Sequence, residues 1–149
     1  MKNVEGINYQ EDKFQVPMWL TLALLSELAE VLNETKIHKW WDRLPVNREK
    51  LKEELLDLLS HIGNLANELD VDLIVTVDEV QTTSLERQFI YLAYKITTLP
   101  WKKMFGKHKL DTLIAKYVEL VYSLGFDMDQ IKEAYFTKME ENYLNPKFS

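Results

Sequence analysis

The stretch LTLALLSELAEVLNET, residues 20–35, decides the fold. Leucine and alanine dominate it, and Glu27 and Glu30 are set into its middle. With Trp19 just before, its apolar positions nearly encircle a helix, which predicts a central helix from about Pro17 to Asn33. Glu27 and Glu30 stand at i and i+3 and project from one face of it. A buried carboxylate without a partner is costly, so the pair requires a counterpart elsewhere in the chain.

Working outward, the connection ETKIHKWWDRLPV leads to Asn47, which stands where a helix N-cap belongs. A second helix is expected through REKLKEELLDLLSHIGNLANEL, with Leu51, Leu55, Leu58, Leu59, Ile62, Leu65 and Leu69 along its buried stripe. Within it, EELLD repeats the spacing of the first pair at Glu54 and Asp57, with Glu53 alongside. Folded as an antiparallel hairpin, the two helices bring the pairs face to face. Carboxylates that close repel strongly in a low-dielectric site, so a cation belongs among them. A hard divalent ion that prefers oxygen ligands fits, Mg²⁺ above all. An isolated acid pair at this spacing is usually a solvated helix face. Here the first helix has no polar face to spare, and the second pair lies on the very next helix.

Downstream, DVDLIVTVDEVQTT is rich in β-branched residues, but a lone strand has nothing to pair with, so a loop is expected. A third helix should run from Ser84 to about Thr98. Pro100 and the basic loop WKKMFGKHK follow, then a fourth helix over 110–124 stopped by Gly125. Asp127 with Gln130 three residues later forms a capping-box pattern that opens a fifth. With only four Gly and four Pro in 149 residues, and no repeat or linker, the expectation is a single all-α domain over 1–149.

Composition excludes several functions. There is no cysteine, so neither a disulfide framework nor a thiolate metal site is available. The three histidines, His38, His61 and His108, lack ligand-like spacing. On its mostly apolar helix, His61 reads as a packed residue. A net charge of −6 opposes general affinity for nucleic acid. The polar N-terminus and the glutamates in the longest apolar run argue against a signal peptide or membrane span, so a cytoplasmic protein is expected. The connection between the first two helices is locally basic (Lys36, Lys39, Arg43, Arg48 and Lys50), a possible ground for phosphates. Phe105, Tyr117 and Tyr122 read as exposed aromatics that suggest a partner face.

The pattern ExxE, then ExxD two dozen residues on, resembles the all-α nucleoside triphosphate pyrophosphohydrolase superfamily, which includes MazG proteins and dimeric all-α dUTPases. LLSELAEVLNETKIHKWW is similar to the dUTPase branch, where an acidic helix leads into Asn-Glu-Thr and a Lys-Trp segment. EELLDLLSHIGNLANELDVDL resembles the corresponding helix of both branches. LGFDMDQIKEAYFTKMEENY resembles the dUTPase ending, in which a Lys and an Asn four residues apart contact phosphates. Two departures stand out. Where the dUTPase pattern continues to Arg-Gln, this chain has Tyr143, Leu144, Asn145 and Pro146. The helix position three after Asp57, usually His, is Ser60.

The resemblance implies a helical bundle built on the acidic hairpin, with Glu27, Glu30, Glu54 and Asp57 as Mg²⁺ ligands. It places Lys39 and Trp40 near the nucleotide and Lys138 and Asn142 on its phosphates, and it implies a homodimer. The implied reaction is attack of water on the α-phosphorus, converting dUTP to dUMP and pyrophosphate. Glu30 and Glu53 are then the candidates to take the water's proton. Asn64 and Asn67 are candidates for contacts with the base. Two other readings remain open from sequence. One is a MazG-like hydrolase of other or non-standard nucleotides; the other is a non-catalytic helical interaction protein of the same fold.

Overall fold

The computed structural model describes residues 16–72, 83–100 and 106–144, without the side chains of 106–109 and 142–144. The described residues form five helices: α1 (Met18–Thr35), α2 (Arg48–Glu68), α3 (Leu85–Thr98), α4 (Gly106–Ser123) and α5 (Met128–Leu144). No strand occurs among them. Most of DVDLIVTVDEVQTT (residues 73–82) and part of the basic loop (101–105, with Phe105) lie outside the described residues. The helix expected from residue 110 already begins at Gly106.

Local chemistry sets the helix ends. The Asn47 side chain accepts from Lys50 N–H at 3.2 Å, and Ser84 Oγ accepts from Arg87 N–H at 3.3 Å. At the start of α5, Gln130 Oε1 accepts from Asp127 N–H at 3.2 Å, and Asp127 Oδ1 accepts from Asp129 N–H at 2.8 Å. The α4 helix stops at Gly125, whose φ of +85° suits a residue without Cβ. Phe126 N–H then reaches back to the Val121 carbonyl at 3.0 Å, closing the turn.

The α1–α2 hairpin is antiparallel, as its cross-contacts show. Glu34 meets Lys50, Glu30 lies beside Glu54, and Glu27 meets His61, so α2 numbers rise as α1 numbers fall. Helix α3 packs on α1 and α4, and α4 packs back on α2, closing a four-helix bundle with α5 laid against α2 and α4. Leu20, Leu24, Leu28 and Val31 turn one side of α1 into this core. No helix among the described residues is long and apolar enough to cross a membrane.

Three expectations are corrected. Helix α1 is buried on one side only: Trp19 is 46% and Leu22 64% exposed, and Ser26, Ala29 and Asn33 continue that open stripe. Tyr117 is not an exposed aromatic but fully buried, and its hydroxyl donates to the Leu55 carbonyl at 2.7 Å, joining α4 to α2. Tyr122 is half-buried against the core. Arg48 is a structural clamp rather than a free cation. It donates to the Leu124 and Gly125 carbonyls at 3.2 and 3.3 Å, and its guanidinium lies 4.3 Å from the centre of the Phe126 ring.

Candidate metal centre and the cleft beside it

The hairpin register carries Glu27 and Glu30 of α1 to Glu54 of α2, one carboxylate oxygen from each lying within 4.8 Å of the others. Their charges penalise one another. Burial is the largest influence pushing the Glu54 carboxyl up to about 7, followed by the Glu30 carboxylate beside it and the charges of Asp57 and Glu27. Glu27 is also raised, first by burial, with His61 opposing and Glu30 and Asp57 adding. Glu27 Oε2 and Glu54 Oε2 are buried without a hydrogen-bond partner. Two orphaned oxygens in an all-carboxylate donor set fit a hard divalent cation such as Mg²⁺, which would remove both the repulsion and the unmet bonding capacity.

Asp57, the fourth expected ligand, stands beside this cluster rather than within it. Lys138 Nζ reaches across from α5 and pairs with its Oδ1. Lys138 thus stands at the edge of the carboxylates, and its charge draws the Glu27 carboxyl down, against the effect of burial. The two residues also line a cleft of ≈ 670 Å³ between α2 and α5, together with Lys52, Glu53 and Thr137. That volume is within the usual range for a small-molecule site, ~300–1,000 Å³. Glu53 is exposed on its wall. The Asn142 side chain lies outside those described. Asn64 and Asn67 are exposed, and neither lines the cleft.

The α1–α2 connection is less involved than its charge suggested. Lys36 pairs with Asp42 at 3.3 Å and donates to the Leu44 carbonyl, and Lys50 pairs with Glu34 at 3.6 Å. Lys39 is half-buried, and its charge helps hold the Asp42 carboxyl below its usual value, after the larger effects of the Leu44 N–H and Lys36. Trp40 is 89% exposed, its ring edge-on to Trp41 at 5.9 Å. No hydrogen bond or ion pair joins Lys39 or Trp40 to the three glutamates among the described residues.

His61 is the residue that sequence reading missed. Its Nδ1 lies 2.9 Å from the Asp57 carbonyl, which can only accept, so Nδ1 carries the proton and Nε2 is turned to Glu27 Oε1 at 3.8 Å. The signal was its spacing: four residues after Asp57 and seven after Glu54, it shares their face of α2 rather than the leucine stripe.

Compared with known proteins, the chain matches a family model described as dUTPase over residues 3–145, nearly its whole length. No curated protein and no solved structure gives a significant match.

Proposed function

Since the chain belongs to the dUTPase family, we propose that it hydrolyses dUTP to dUMP and pyrophosphate in a Mg²⁺-dependent reaction at the α1–α2 carboxylates. The observation that carries this reading is the pair of orphaned oxygens on Glu27 and Glu54, buried in an all-oxygen cluster beside a cation from α5. Glu27, Glu30 and Glu54 would hold the metal, and Asp57 completes the set. Bound Mg²⁺ supplies charge neutralisation for the triphosphate and acidifies water at neutral pH.

The chain's own residues supply the rest. Lys138 binds phosphate oxygens, and Asn142, one turn on along α5, shares that task. Glu53 is exposed in the cleft and outside the three-carboxylate cluster, which suits it to take the proton of the attacking water; Glu30 is the alternative. Trp40 offers an open aromatic face for the uracil, with Lys39 beside it in the chain. Two copies would pair through the apolar stripe that Trp19 and Leu22 leave open on α1, and a cytoplasmic location suits a nucleotide hydrolase without cysteines.

Pyrophosphate release from dUTP, dCTP, dTTP and the purine triphosphates, with and without Mg²⁺, tests this. Cleavage of dUTP only with the metal is expected. Activity confined to purine triphosphates would favour a MazG-like substrate range. No hydrolysis, together with no thermal stabilisation by Mg²⁺, would mean a helical protein that keeps the fold without the chemistry.

A further inference from the structure

A second cavity, of ≈ 220 Å³, lies between the start of α3 and the later turns of α4, lined by Thr83, Arg87, Gln88, Tyr91, Lys116 and Glu119. None of these residues belongs to the carboxylate cluster or to the α2–α5 cleft. Two of them, Gln88 and Glu119, are polar yet only 5% exposed. Gln88 Nε2 donates to the Thr83 carbonyl at 2.9 Å and to Ser123 Oγ at 2.8 Å. A carbonyl only accepts, so the amide nitrogen is fixed on that side and Oε1 forms the other end. Oε1 is buried with no hydrogen-bond partner among the described residues, a condition that buried polar atoms rarely tolerate. Glu119 adds a carboxylate, held at Oε2 by Lys116 Nζ at 3.2 Å. Above them, Lys116 and Lys95 place their ammonium groups 4.9 and 5.3 Å from the centre of the Tyr91 ring, and Arg87 is exposed at the rim.

These groups define what could enter. Gln88 Oε1 and the Glu119 carboxylate are acceptors, so a ligand that reaches them must bring donors. The volume holds one small ring system and falls short of the ~300 Å³ at which drug-sized sites begin. An amine or guanidinium would satisfy the acceptors but would meet Arg87 and Lys116 in the lining and Lys95 beside the Tyr91 ring. A neutral ring carrying an anionic group outside the cavity is attracted by the same three cations. Among the common bases, adenine and cytosine set a ring acceptor beside their amino donor, and uracil and thymine flank one N–H with two acceptors. Guanine alone sets a ring N–H next to an amino group.

We infer that this cavity is a second nucleotide site, taking the base of a guanine nucleotide. The N1–H and 2-amino edge meets Gln88 and Glu119, the ring lies against Tyr91, and the phosphate rests on Arg87 and Lys95. The inference stands apart from the dUTP reading, because the two sites share no residue.

Calorimetric titration of the full chain with GMP in metal-free buffer tests it. GMP should bind saturably, and inosine monophosphate, which lacks the 2-amino group, should bind about tenfold or more weakly. AMP, UMP and agmatine should be weaker still. Tyr91→Ala and Arg87→Ala change exposed side chains and should each weaken GMP binding about tenfold with the fold intact by circular dichroism. Glu119→Gln should remove the preference for GMP over inosine monophosphate, while Glu54→Gln should leave GMP binding unchanged. Absence of GMP binding, equal affinity for inosine monophosphate, tighter agmatine, or loss of GMP binding in Glu54→Gln would each overturn the assignment.

Discussion

At the scale of single residues, Glu54 is half-buried with one carboxylate oxygen fully so, and it feels the charges of Glu27, Glu30 and Asp57. Replacing it with Gln keeps the shape, removes the repulsion and deletes one of the oxygens proposed to hold the metal. The Glu54→Gln protein should lose Mg²⁺-dependent pyrophosphate release, while its metal-free thermal midpoint rises above that of the parent. Retained activity would show that the metal binds elsewhere. His61 acts one step further out, since its Nε2 faces the Glu27 carboxylate from a ring anchored on the Asp57 carbonyl. Partners of ligating carboxylates tune affinity through orientation, so His61→Ala should weaken Mg²⁺ binding by roughly 10–100-fold by calorimetry. An unchanged affinity would reduce the contact to packing.

At the scale of elements, the acidic hairpin was legible because charged residues stand out on a leucine-rich helix and the helical period fixes their face. The asparagine and glycine at helix ends were legible for the same reason: each answers a local backbone need. Arg48 was not. Its acceptors lie 76 and 77 residues away, and nothing in its neighbourhood distinguishes a clamp from a solvated cation. The outer side of α1 misled in a different way. An apolar residue looks the same in sequence whether its own fold covers it or leaves it open, so Trp19 and Leu22 read as core. Arg48→Ala should test the clamp, lowering stability to urea by about 1–2 kcal/mol through loss of the bonds to the α4 end and the contact with Phe126. An unchanged midpoint would return Arg48 to the solvated surface.

At the scale of the whole molecule, the half-buried Glu54 carboxyl ties stability to pH. The folded value of Glu54, about 7, lies above its ordinary 4.5, so between those values the metal-free native state binds a proton that the unfolded chain has released. The stability gained from Glu54 is therefore complete below about pH 4.5 and lost as the pH rises through about 7. Thermal midpoints in chelator should fall across that window. Saturating Mg²⁺ should stabilise the native state more as the pH rises, since the ion binds the ionised cluster. A midpoint flat in pH without metal would mean that the glutamates are further apart in solution.

The bridge from Lys138 to Asp57 makes the free protein its own placeholder. Before any nucleotide arrives, the cation proposed for phosphate is spent on the acid proposed for metal. Engaging the one liberates the other, so the two ligands must help each other, by the same factor in both directions. Mg²⁺ should therefore bind more tightly when pyrophosphate is present, and pyrophosphate more tightly when Mg²⁺ is present. Lys138→Ala should weaken pyrophosphate binding by about 1.5–3 kcal/mol while freeing Asp57 beforehand, leaving metal affinity indifferent to the anion. Coupling that survives this substitution would show that the exchange of partners passes through another residue.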